Sequence, residues 1–236
     1  MMAQVLLAVV ALYVAAIVWR GRTFRVRLSS LAQRSRGQRM TAWALGLGVS
    51  FGVPALIGLA LLGQDPLAAL QPEALALVPG DWSLLPTAPL LLGMALGTVL
   101  NAAITRWLWR KGRRAFQIGT FPDILPQRRG DLIPAIALSI SAGVSEELFF
   151  RLFLPLLVAL VSGSAWAGTI AATLLFGAVH RYQGARGMVA TTLVGAGLSA
   201  LYGLTSALWV AIAFHVVIDL NALVVRPLTR GAWRAA

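Results

Sequence analysis

The chain of 236 residues is 58% hydrophobic and only 12% charged, with a mean hydropathy of +0.79. Soluble domains carry about 25% charged residues, so this balance excludes an ordinary soluble domain and argues for an all-α, polytopic transmembrane helix bundle. The net charge of +12 comes from basic residues set in loops between apolar runs, which reads as membrane topology and not as nucleic-acid binding.

In chain order, the apolar runs predict spans at 3–19, 41–63, 87–105, 132–161, 165–180, 187–203 and 206–225, about seven in all. The first lacks basic residues before its apolar part and has them after it, so it is expected to stay as a helix and not to be a cleaved signal. Loop 20–40 carries Arg20, Arg22, Arg25, Arg27, Arg34, Arg36 and Arg39, and is expected to set topology. Loop 64–86 has no Lys or Arg, but holds Asp65, Glu73 and Asp81. Loop 106–130 is basic again, as are the segments after the fifth and seventh spans, with Arg181, Arg186, Arg226, Arg230 and Arg234. Of the 20 basic residues, 19 therefore fall on one side. The positive-inside rule makes that side cytoplasmic, with the N terminus out and the C terminus in. The chain divides into N-terminal helices with basic loops, 1–125, and a helical core, 126–236.

Few ionisable residues lie inside spans, and each such residue is a functional-site hypothesis by default. Glu146, Glu147 and Arg151 fall in the fourth span, His215 and Asp219 in the seventh, and His180 at the end of the fifth. Glu147 and Arg151 are four apart, share a helix face and can pair, which lowers the cost of burying both. Glu146 points about 100° away and has no helical partner, so it is left to take and return a proton. Phe176 and His180 are also four apart, as are His215 and Asp219, so Asp219 could fix the His215 tautomer or itself face a reaction centre.

With no Cys, no Gly-x-Ser-x-Gly elbow and a single Lys in a loop, nucleophilic catalysis has no evident candidate. A carboxylate with imidazoles can activate water, and Glu146, His180 and His215 could also hold zinc, drawn from separate helices. A proton-relaying transporter, a non-proteolytic scaffold or an immunity protein could use the same buried set.

The stretches "EELFFR" (146–151), "FGAVH" (176–180) and "HVVID" (215–219) resemble the motifs of the CAAX prenyl protease and bacteriocin-processing (CPBP, or Abi) family of intramembrane proteases. The resemblance covers about residues 130–222. It implies a multi-pass inner-membrane endopeptidase with a cytoplasm-facing site, acting on a peptide or membrane-associated protein. By the same resemblance Glu146 is the base that activates water with His180. His215 and Asp219 bind the oxyanion, and Glu147 with Arg151 forms the supporting ion pair. Asp219 stands where the eukaryotic relatives have Asn, so it serves an oxyanion only when protonated, or else orients His215 or binds metal.

One geometric conflict follows. Counted from the cytoplasmic side, Glu146 lies about 22 Å into its span, whereas His180 sits near the cytoplasmic end of its own. The two meet only if the first part of the fourth run tilts or lies at the interface, with a bend at Gly143, or if the fifth helix continues past His180.

Overall fold

The computed structural model describes residues 1–30, 35–64, 87–113 and 125–230. Asp65, Glu73 and Asp81 of the predicted acidic loop lie outside the described residues, as do Arg34, Arg114, Asp123 and Arg234. Among the described residues the regular structure is entirely helical. Five segments are long and apolar enough to cross a membrane: Met2–Trp19, Arg36–Leu61, Ala88–Arg110, Ala185–Thr205 and Leu208–Thr229.

The helices are α1 (Met2–Ser30), α2 (Arg36–Leu47), α3 (Val53–Leu61), α4 (Thr87–Arg110), α5 (Leu132–Glu147), α6 (Leu154–Ser162), α7 (Ala165–Val179), α8 (Ala185–Thr205), α9 (Leu208–Leu220) and α10 (Arg226–Thr229). The segment expected as a basic loop after residue 19 is instead helical up to Ser30. Ser35 and Gln38 then open α2 with a reciprocal cap, at 3.2 and 3.0 Å. The Asp131 carboxylate accepts the backbone N–H groups of Gln127 and Arg128 at 3.0 and 3.1 Å, fixing the turn that leads into α5.

Three pairs of helices form continuous rods: α2 with α3, α5 with α6, and α9 with α10. The joining turns, Gly48–Gly52, Leu148–Phe153 and Asn221–Val225, are widened to π geometry. In each rod a proline follows the widened turn as the second residue: Pro54, Pro155 and Pro227. Proline offers no N–H to the carbonyl four residues earlier, and its ring crowds that carbonyl. Shifting to pairing five residues apart absorbs the defect without breaking the rod. The carbonyl of Ser50, four before Pro54, accepts the Tyr13 hydroxyl of α1 at 2.8 Å and ties α1 to the second rod.

The core is aromatic where the rods cross. Phe149, Phe150, Phe153 and Phe176 are fully buried, and Phe51 nearly so. Their rings meet edge-on or tilted, with centroids 4.9–5.7 Å apart. The two phenylalanines of "EELFFR" are thus packing residues, set between the ionisable ones.

The α6–α7 hairpin resolves the depth conflict. Its turn uses Gly163 at φ 73°, a left-handed conformation that suits glycine, and Ser164 caps α7 by accepting the Ala167 N–H at 3.2 Å. Glu146 precedes Gly163 by 17 residues and His180 follows it by 17, so the antiparallel hairpin brings them level. Gly168 sets the closeness of the crossing, because a Cβ there would run into the Pro155 backbone. Gly143 does not mark a bend. It is the point where α5 lies against α9, and a Cβ would meet Val216 and, at 3.3 Å, the Ile212 carbonyl. Nor does α7 continue past His180 as an α-helix; it ends in a 3₁₀ turn, His180–Gln183.

Candidate active site

The three motif stretches converge at mid-bundle, with Glu146, Glu147, Arg151, His180 and His215 all buried. The α6–α7 hairpin delivers His180, and the Gly143 crossing of α5 with α9 delivers His215. Glu146 Oε2 lies 3.9 Å from His180 Nε2 and 3.9 Å from His215 Nε2. These separations exceed a direct hydrogen bond and suit groups that share one small polar molecule between them.

Both imidazoles are held by their other nitrogen. His180 Nδ1 lies 2.7 Å from the Phe176 carbonyl oxygen, which only accepts, so Nδ1–H donates. The ring also packs on Phe176, with centroids 4.8 Å apart. His215 Nδ1 lies 2.7 Å from Glu147 Oε1 and donates to that carboxylate. Only the two Nε2 atoms are left to address Glu146.

Glu147 therefore does more than face Arg151. Its Oε2 lies 3.2 Å from Arg151 Nε, a charge contact without hydrogen-bond alignment, while Oε1 anchors His215. The Arg151 guanidinium also stacks 4.2 Å over the Phe176 ring, within reach of a cation–π attraction. The His215 tautomer contact, one of two roles expected for Asp219, belongs to Glu147. Asp219 sits one turn further along α9 and lines the same cavity. Among the described residues its carboxylate has no hydrogen bond or ion pair.

The cavity has a volume of about 190 Å³. Glu146, His180 and His215 line it together with Leu138, Ala142 and Leu223, and Arg226 and Arg230 of the α9–α10 rod line it as well. Trp43 and Leu47 of α2 complete one wall, with Tyr182 and Gln183. Sequence reasoning missed these lining residues. Tyr182 is two residues from a motif His, which was a usable signal. Trp43 and Leu47 carried none, and the two arginines were read only as topology marks. Ser139 and Ser145 are buried on α5, but the Ser139 hydroxyl donates to the Ala135 carbonyl at 3.0 Å and Ser145 packs on Gly52.

The donor types of Glu146, His180 and His215 would suit zinc, but their spacing does not. Ligands of a tetrahedral ion with bonds of about 2.0–2.1 Å stand about 3.3 Å apart, closer than the two 3.9 Å separations at Glu146. Among the described residues no group of three or more His, Asp or Glu side chains is arranged to hold a metal ion.

Fold and site together define a class: a protein helical throughout its described residues, with five segments long and apolar enough to cross a membrane, and two buried imidazoles aimed at one buried carboxylate. Residues 128–221 match the family model of type II CAAX prenyl endopeptidases, Rce1-like, over the segment that holds all three motifs. The resemblance read from those motifs is borne out there, and it supports a CAAX-type intramembrane protease. No curated protein and no solved structure matches the chain.

Proposed function

We propose that the protein is a multi-pass intramembrane endopeptidase of the CAAX type that hydrolyses a peptide bond with water activated by Glu146 and His180. The observation that carries this is the pair of Nε2 atoms, each 3.9 Å from Glu146 Oε2 and each left as its ring's only cavity-facing nitrogen. A water held between Glu146 and His180 gives a proton to Glu146 as its oxygen attacks the scissile carbonyl. The carbonyl oxygen becomes an oxyanion. His215, doubly protonated and backed by the Glu147 carboxylate, donates Nε2–H to it. Asp219 adds a second hydrogen bond only while protonated. Glu146 then passes its proton to the leaving amine, and the bond breaks.

Glu147 and Arg151 are positioning residues in this reading: the arginine faces Glu147 as its charge partner, and Glu147 holds the ring of His215. In this reading the protein sits in an inner membrane, as the family resemblance implies, with about seven spans, N terminus out and C terminus in, and the positive-inside rule supports setting the arginine-lined part of the cavity at the cytoplasmic face. No step uses a metal. Peptide cleavage is expected to survive chelation, with no stoichiometric zinc by elemental analysis; zinc lost together with activity overturns the metal-free step. The decisive experiment is Glu146→Gln in purified protein. Cleavage is expected to vanish while the fold, read by thermal unfolding, persists. Full activity in that variant overturns the base assignment. Transport or scaffolding predicts no peptide cleavage by the parent protein at all.

A further inference from the structure

Arg226 and Arg230 lie beyond the segment that matches the family, and the mechanism above leaves them unused. Four residues apart, they share a face of the α9–α10 rod and line the same cavity as Glu146. Arg226 Nε is buried and has no hydrogen-bond partner, and among the described residues neither guanidinium has an ion pair. An arginine that only marks the side of a membrane turns its head group out to water or lipid. Here one guanidinium is partly buried against a cavity beside a second one, an arrangement of like charges that a bound anion would stabilise.

We propose that Arg226 and Arg230 form a subsite for a carboxylate of the peptide substrate, a short distance from the scissile bond; this rests on the endopeptidase reading above. Along the rod the arginines stand 11 and 15 residues beyond His215, roughly 16–22 Å at 1.5 Å per residue. Helical side chains lean toward the N-terminal end, which shortens that distance by several ångströms. An extended peptide advances about 3.3 Å per residue, so the carboxylate sits about three to six residues from the bond. The planar forks of two arginines match a carboxylate with paired hydrogen bonds, which a single ammonium could not do. The carboxylate is either the chain's C terminus or an acidic side chain at that distance.

The test uses full-length protein in nanodiscs and quenched fluorescent peptides of one cleavable sequence. The peptides end in a free acid or an amide four residues after the bond, and an amidated set carries Glu or Gln at that place. The parent should prefer each carboxylate peptide over its neutral twin by about tenfold or more in kcat/KM, mostly through KM. In Arg226→Gln/Arg230→Gln that ratio should fall to about one. Preference for the free acid alone identifies the C terminus; preference for Glu as well identifies side-chain recognition. Equal cleavage of acid and neutral peptides by the parent overturns the subsite. So does a ratio that the double variant leaves unchanged, or one that follows only the anionic lipid content of the nanodisc. Anisotropy of the same peptides, labelled and bound to the Glu146→Gln protein, reads the subsite separately. If the parent cleaves nothing, the endopeptidase reading fails, while an acid-over-amide binding ratio lost in the arginine variants still supports the subsite. No such ratio sinks it.

Discussion

Helix α4 and the α5–α6 rod are both apolar by composition, yet they meet opposite surroundings. Along α4, Leu92, Leu96, Val99 and Leu100 stand exposed, and among the described residues side-chain hydrogen bonds tie it to the α9–α10 rod. Asn101 donates to Asn221 at 2.9 Å, and Arg106 reaches the Thr229 carbonyl at 3.4 Å. The α5–α6 rod is the reverse: its aromatic residues are buried on the core, and Glu146, Glu147 and Arg151 are buried with them. Hydropathy marks both as membrane segments, since lipid and protein interior are about equally apolar. Ionisable residues separate them, because a charge is tolerated only where protein supplies its partners. The comparison predicts large effects from single changes in the rod and small ones in α4.

The largest effect should come from Glu146→Gln, which keeps shape and removes the base. A fall in kcat/KM of about 10²–10⁴-fold is expected from peptide-cleavage kinetics. A loss of tenfold or less would break the contrast at its strongest point.

Arg151→Met comes next. It removes one of the two cations that face buried Glu147, at an expected cost of up to about 3–5 kcal/mol in denaturant unfolding. Adding Glu147→Gln should recover part of that stability, because the buried carboxylate is gone and His215 is free to become neutral. The double variant should still cleave poorly, since His215 has lost its anionic anchor. Recovery of both stability and cleavage would show that Glu147 has no part beyond the ion pair.

Gly168→Val tests the hairpin that sets depth. The added side chain meets the Pro155 backbone, which cannot give way as a side-chain tip can. Overpacking of this kind costs about 1–3 kcal/mol. Because the crossing fixes where α7 ends, kcat should also fall through a displaced His180, although Gly168 is 12 residues away along the chain. Stability lost with kcat intact would mean that the turn alone sets the register.

Much of this was legible in the sequence, and the remainder was hidden for physical reasons. The all-helical class followed from composition. The ionisable set followed from its placement in apolar runs, and the structure brings Glu146, His180 and His215 together. The depth conflict arose from counting residues from the wrong end. Counted from Gly163, Glu146 and His180 are symmetric, and the sequence contained that number. Pro54 and Pro155 stood in plain view inside apolar runs, and Pro227 just past the end of the last one; together they were the available signal of the widened turns. The link from Glu147 to His215 was not legible. Helical spacing reports neighbours on one helix, and this contact joins residues 68 apart. The cavity wall supplied by Trp43 and Leu47 was hidden for the same reason.

The smallest effect in the contrast belongs to the seam between α4 and α9. Asn221 Nδ2 donates to Thr98 Oγ1 at 3.0 Å and to the Val217 carbonyl at 2.9 Å, and its Oδ1 accepts Asn101. Side-chain hydrogen bonds between membrane helices contribute about 0.6 kcal/mol on average and about 1.7 at most, because polar groups in the unfolded membrane state also find partners. Asn221→Ala should therefore cost about 1 kcal/mol in unfolding, more than Leu96→Ala, whose side chain is mostly exposed. Peptide cleavage should stay close to that of the parent, since Asn221 does not line the cavity. The neighbouring Ala222 and Leu223 do line it, on the same widened turn. A loss of cleavage larger than the loss of stability explains would mean that the seam holds this turn in place, and that α4 supports the site as well as facing lipid.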